Sequence, residues 1–210
     1  MTDLELKQQM VDLGRSFFER GYTVGGAGNL SVRLDDNHIL VTPTGSSLGR
    51  LTVETLSVLD MQGNLLEGKK PSKESVFHLA IYQANPNCKA IVHLHSTYLT
   101  ALSCLDGLDP DNAIRAFTPY YVMRVGKLPV IPYYRPGSPE IARELSERAN
   151  SGKAFLLANH GVVVIGSDLQ DAVDNTEELE ETAKLQFILQ GQKIRYLTKE
   201  EVKDLENRGK

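Results

Sequence analysis

Ala90-Ile91-Val92-His93-Leu94-His95-Ser96 is the stretch on which the reading of this chain turns, an apolar run carrying two histidines one residue apart. Alternate side chains of a β-strand leave on the same face, so His93 and His95 should project together at the strand's end while Val92 and Leu94 point the other way. Two imidazoles on one side make half of a metal site. Standing alone, the pair reads first as strand histidines at a hydrogen-bonded sheet end, and its partners elsewhere in the chain must decide otherwise.

Those partners lie on both sides. Asn159-His160-Gly161 joins the apolar runs Phe155-Leu156-Leu157-Ala158 and Val162-Val163-Val164-Ile165, two strands with a histidine at their junction. Upstream, Pro71-Ser72-Lys73-Glu74 opens a helix. Ser72 is its expected N-cap, which puts Lys73 and Glu74 in a first turn that favours anions. The apolar positions Val76, Leu79, Ala80 and Ile81 should face the core. A first-turn glutamate often only complements the helix dipole. His78, four residues after Glu74, shares its helical face and is expected in packing or at the surface rather than behind a site. Three imidazoles from two segments plus one carboxylate form a set that holds Zn²⁺, with Mn²⁺ or Co²⁺ as alternatives, and leaves room for substrate oxygens. Such an ion would act as a Lewis acid toward a carbonyl, stabilising an enolate.

Two small-residue loops precede this centre. Gly25-Gly26-Ala27-Gly28-Asn29 leads into Leu30-Ser31-Val32-Arg33-Leu34, and the turn Asp35-Asp36-Asn37-His38 returns the chain through Ile39-Leu40-Val41-Thr42 as a hairpin. His38 sits in the polar tip and takes no part. Pro43-Thr44-Gly45-Ser46-Ser47 is a second loop at a strand end, where amides and hydroxyls can surround an anion. A further hairpin covers 56–67. At the N-terminus Leu6, Met10, Leu13 and Phe17 recur at helical spacing, with Thr2 or Asp3 as cap and Gly21 as stop.

Downstream, Ser96 caps a helix to about Cys104, and Ser138-Pro139-Glu140 starts another that ends near Ala149. Segments 118–127 and 133–138 concentrate tyrosine and arginine and read as irregular. From Asp168 a long helix reaches Gly191. Its run Glu177-Glu178-Leu179-Glu180-Glu181 should spread into solvent, without a catalytic role. A short charged helix covers 198–208.

With 210 residues, 41% hydrophobic and 24% charged, the chain suits a single domain over 1–210. Its formal charge of -4 offers no general attraction for nucleic acid or anionic lipid. Cys88 and Cys104 are too few for a disulfide framework and are read as reduced packing residues. No basic leader or apolar run of membrane-spanning length is present, and a cytoplasmic location is expected. The order of elements argues for one α/β or α+β layered domain.

Gly28-Asn29-Leu30-Ser31, Thr42-Pro43-Thr44-Gly45, Pro71-Ser72-Lys73-Glu74, His93-Leu94-His95-Ser96 and Asn159-His160-Gly161 together resemble the class II aldolase/adducin family, over nearly the whole chain to about Gly191. The resemblance implies α/β/α layers around a central, largely antiparallel sheet, assembled as a cyclic homotetramer with one zinc per subunit. His93, His95 and His160 match the zinc ligands, and Glu74 the acid/base glutamate that can also ligate zinc. Asn29, Thr44, Gly45 and Ser72 match phosphate-binding positions. Tyr120 or Tyr121 resembles the tyrosine brought from a neighbouring subunit, with Tyr120 slightly favoured.

Lys73 departs from the serine frequent there in aldolase-like members, adding a cation for phosphate or for a substrate carboxylate. With 119–123 and 131–137, it looks most like the branch that decarboxylates 3-oxo-tetronate 4-phosphates to dihydroxyacetone phosphate through an enediolate on the metal. A fuculose or ribulose phosphate aldolase, an epimerase and a non-enzymatic adducin-like interaction domain are the alternatives.

Overall fold

The computed structural model describes residues 2–208, apart from the side chain of Arg208. Its elements in chain order are α1 (Asp3–Glu19), β1 (Asn29–Arg33), β2 (His38–Val41), β3 (Ser57–Asp60), β4 (Leu65–Glu67), α2 (Ser75–Ala84), β5 (Ala90–Leu94) and α3 (Thr97–Ser103). There follow α4 (Pro119–Arg124), β6 (Val130–Ile131), α5 (Pro139–Arg148), β7 (Ala154–Leu157), β8 (Gly161–Gly166), α6 (Leu169–Ile188) and α7 (Lys199–Arg208). The strands form one sheet in the order β4-β3-β2-β1-β5-β8-β7-β6, antiparallel throughout except between β6 and β7.

Strand alternation sorts the side chains into layers. Ile91, Val163 and Phe155 face α2 and α5, where they bury Phe77, Ile81, Ile141 and Leu145. On the opposite face Leu30, Val92 and Leu94 pack with Met10 and Phe17 of α1 and Val173 of α6. Beside them Leu156, Val162 and Val164 meet Leu99, Leu102 and Tyr121 of α3 and α4. The expected α/β/α arrangement around a largely antiparallel sheet is therefore what the chain adopts. Among the described residues no helix is long and apolar enough to cross a membrane.

β5 lies between β1 and β8, and the register sets Asn29 opposite His93 and His93 opposite Val163. Residues directly opposite in an antiparallel pair share a face, so Asn29 and His93 stand side by side on the α2 side. His95 lies one residue past the end of β5. The β7–β8 turn reaches the same end, with Asn159 at φ 55°, the one positive-φ residue other than glycine among those described. Asn159 and His160 both donate main-chain N–H groups to Ser103, the first to its carbonyl and the second to its hydroxyl. The two glycines nearest the histidine strand have no room for a side chain. A Cβ on Gly161 would meet the Leu94 carbonyl oxygen at 2.4 Å, and one on Gly28 the His93 carbonyl oxygen at 2.9 Å.

Four expectations need correction. Segment 118–127 is not irregular throughout: Pro119–Arg124 is helical, capped by the Thr118 hydroxyl, which accepts from the Tyr121 N–H. Six residues are too few to display a period. Helix α2 begins at Ser75, not within 72–74, and Ser72 instead closes the preceding turn by accepting the Glu74 N–H at 3.2 Å. Val76 is 56% exposed, and Phe77 and His78 take the buried places. Glu180 is buried rather than solvated, accepting from the Ser96 hydroxyl and from the Tyr98 and Leu99 N–H groups at the start of α3. Both cysteines are free, Cys88 buried and Cys104 exposed.

Gly161→Ala should destabilise the protein by about 1–3 kcal/mol, because the new methyl must displace main chain rather than a flexible side chain. A denaturant midpoint unchanged from the parent protein would reject the close packing of this turn against β5.

Candidate metal centre and substrate cleft

His93 is held in the sheet, with Nδ1 2.9 Å from the Val162 carbonyl oxygen. A carbonyl only accepts, so Nδ1 carries the proton and Nε2 presents a lone pair. That Nε2 lies 3.1 Å from His95 Nε2 and 3.3 Å from Glu74 Oε2, while His160 Nε2 is 3.4 Å from Glu74 Oε1. The three imidazole rings meet edge to face at centroid separations of 4.7–4.9 Å. One ligand atom from each of Glu74, His93, His95 and His160 lies within 4.8 Å of the others. Lone pairs aimed at one another repel unless a proton or cation stands between them. Three nitrogens and a carboxylate suit a divalent ion. His160 Nδ1 is buried without a hydrogen-bond partner among the described residues, so that ring is oriented by its main-chain bonds and by packing.

Glu74 reaches this centre from the turn before α2. Asn29 Nδ2 donates to its Oε2 at 2.7 Å. Burial by itself would raise the carboxyl, but where the metal-free imidazoles take up protons the His93 charge and the hydrogen bonds from His160, His93 and Asn29 outweigh it and hold the group well below the usual carboxylate range. Burial first, and then any protonation of His93 or His160, pushes His95 down to about 4. His78, expected in packing or at the surface, is fully buried and 2.6 Å from Asn29 Oδ1. Burial first, and then any protonation of His93, pushes it down to about 3.

A cleft of about 350 Å³ opens on this centre and is lined by Asn29, Thr44, Gly45, Ser72, Lys73, Glu74 and His95, with Gly26–Gly28 on one side and Pro136 and Gly137 on another. It brings together the loops that the sequence offered separately as anion sites. Lys73 is exposed at its edge, and no carboxylate among the described residues forms an ion pair with it. Tyr120 does not line this cleft; it is 62% exposed, beside Arg20, Tyr22 and Glu177. Tyr121 is fully buried, its hydroxyl donating to Asn112. A larger hollow of about 500 Å³, bordered by Cys88, Lys153 and Asp171, lies at the far end of β5 and β8 and has no comparable donor cluster.

The family described as the class II aldolase and adducin N-terminal domain matches residues 8–187. The chain belongs to this family. Among its class II aldolase/adducin relatives, a 3-oxo-tetronate 4-phosphate decarboxylase of Haemophilus influenzae is 83% identical over 210 residues, the whole of both chains. An L-fuculose phosphate aldolase of Methanococcus maripaludis is 40% identical, over 86% of this chain and 96% of its own. The crystal structure of YgbL of Klebsiella pneumoniae, described as an aldolase/epimerase/decarboxylase, superposes with a TM-score of 0.96 at 60% identity, covering 98% of this chain and 99% of its own.

Replacement His95→Ala should abolish stoichiometric divalent metal in the purified protein while leaving the far-ultraviolet circular dichroism unchanged. Global unfolding would instead make the ion a structural one. Acid should weaken the metal-free protein. Between pH 6.5 and about 4 the unfolded chain binds protons that the buried imidazoles refuse, so stability rises with pH across that window and falls on acidification. His78 alone should cost on the order of 2 kcal/mol at pH 5 relative to neutral pH. Equal urea midpoints for chelated protein at pH 7 and pH 5 would contradict this.

Proposed function

We propose that the protein is a metal-dependent carboxy-lyase that converts a 3-oxo-tetronate 4-phosphate into dihydroxyacetone phosphate and CO2. The observation that carries this reading is the single cleft in which Glu74 and His95 face the anion loops and the unpaired Lys73. The substrate has two anionic ends, a phosphate on C4 and a carboxylate on C1. Thr44, Gly45, Ser72 and the Asn29 amide receive the phosphate through neutral donors, and Lys73 supplies the charge that remains. High identity to decarboxylases along the full chain supports the choice over the more distant aldolases.

His93, His95, His160 and Glu74 would hold one divalent ion per subunit, read as zinc, whose Lewis acidity stabilises negative charge on substrate oxygens. The C1–C2 bond breaks, CO2 leaves, and the released electron pair forms the C2–C3 double bond of an enediolate. Glu74, having taken up a proton from water in the cleft, then delivers it to C2 and the C3 ketone re-forms. To carry that proton the carboxyl must move out of the ligand cluster in which it is held ionised. The Asn29 contact can persist with either protonation state of Glu74, since a carboxylic acid still accepts.

Tyr120 is assigned to the cleft of a neighbouring subunit in a homotetramer located in the cytoplasm. Its exposure, with that of Val24, Met123 and Tyr133, supports a covered surface, whereas Tyr121 is committed to Asn112 within its own subunit.

Incubating the purified, metal-loaded protein with a 3-oxo-tetronate 4-phosphate should release CO2 and dihydroxyacetone phosphate in equal amounts. Absence of CO2, together with aldehyde release from fuculose or ribulose phosphate, would transfer the assignment to the aldolases. Lys73→Ala should raise KM about tenfold or more, the loss of one charge-assisted hydrogen bond, with metal content intact.

A further inference from the structure

Behind Glu74 a series of hydrogen bonds runs into the core. Asn29 Nδ2 is 2.7 Å from Glu74 Oε2, Asn29 Oδ1 is 2.6 Å from His78 Nε2, His78 Nδ1 is 2.6 Å from the Ser31 hydroxyl, and that hydroxyl is 2.8 Å from the Tyr82 hydroxyl. Asn29, Ser31, His78 and Tyr82 are all buried. The first contact dictates the others. An ionised carboxylate only accepts, so the Asn29 atom facing Glu74 must be the amide nitrogen, and its carbonyl oxygen must face His78. His78 Nε2 therefore carries a proton. A neutral imidazole then has a bare Nδ1, to which the Ser31 hydroxyl donates, and Ser31 accepts in turn from Tyr82.

The far end is a fully buried tyrosine, so these bonds offer protons no path to water; what they can do is fix orientation. Asn29 is the member that lines the cleft, and its amide nitrogen has a second hydrogen beyond the one given to Glu74. Turned by 180°, the same amide would set its oxygen against the carboxylate and offer oxygen instead of N–H to the substrate.

We propose that His78 is a positioning residue whose Nε2–H locks the Asn29 amide in the one orientation that donates to Glu74 and keeps an N–H for a substrate oxygen. Asn29 thereby links the anion loops to the carboxyl that moves the proton, and His78 maintains the link from behind. The catalytic half of this inference rests on the role proposed for Glu74, whereas the tautomer of His78 does not.

Zinc-loaded full-length protein labelled with 15N-histidine tests it. The His78 signals, assigned by their loss in His78→Gln, should show a protonated Nε2 and a bare Nδ1; the opposite tautomer overturns the inference whatever reaction the protein performs. In the decarboxylation assay His78→Phe should lose about 10- to 100-fold in kcat/KM while keeping its zinc, the usual cost of removing a group that orients a metal-site residue. His78→Gln, whose amide can donate to Asn29, should recover most of that loss. Equal losses in both variants, or zinc lost with activity, would show a merely structural role and reject the proposal. Should the phenylalanine variant fail to fold, the tautomer decides.

Discussion

Three imidazole nitrogens and a carboxylate are held close together, in a place from which water is largely excluded and where like lone pairs repel. That arrangement costs free energy in the absence of a cation and must be enforced by the surrounding structure. The enforcement is mostly main chain. His93 is locked by its place in β5 and by the Val162 carbonyl, and His160 by a turn bonded to Ser103. His95 comes next to Ser96, which Glu180 of α6 holds at the start of α3. Each ligand is tied to a different element, so the centre forms only when the sheet, α3 and α6 are all assembled.

The substrate side is built differently. The cleft is bordered by the loops around Gly26, Thr44, Ser72 and Pro136, and its cation, Lys73, stands exposed at the edge. Release of an aldehyde and release of CO2 leave the same enediolate behind, so a buried centre of this kind does not by itself separate the two reactions. What separates them is which leaving group, on the carbon next to the ketone, the border can receive and orient. A charged lysine suits a carboxylated, doubly anionic substrate, and its position away from the imidazoles keeps the two charge problems apart.

The sequence made much of this legible because the relevant signals were periodic or paired. Continuous apolar runs placed β5, β7 and β8, and the His-x-His spacing put His93 and His95 at one strand end. Three segments with separate and individually weak signals, around Gly26, Thr44 and Ser72, proved to border one cleft. The failures have local causes. Helix α4 is shorter than two turns and starts with Pro119, so it left no period to read. Glu180 sits in a run of acids that looks solvated; nothing in that run reveals that another helix begins against it. His78 lacked a visible partner, since Asn29 lies 49 residues away and meets it only after β1 and α2 pack. Its spacing of four from Glu74 was the available hint.

Gly28, just before β1, and Gly161, at the start of β8, grip the main chain at the end of β5 with no space for even a methyl group. The chain is thereby divided into a portion that cannot drift and a portion that can. Replacements in the loops around Thr44, Lys73 and Pro136 can reshape what enters the cleft, because none of those loops shares the clamp. Replacements beside the histidines would first have to move a carbonyl. Substrate preference in such a scaffold can therefore diverge under selection while the metal-binding geometry stays nearly constant, and the two glycines mark where that boundary runs.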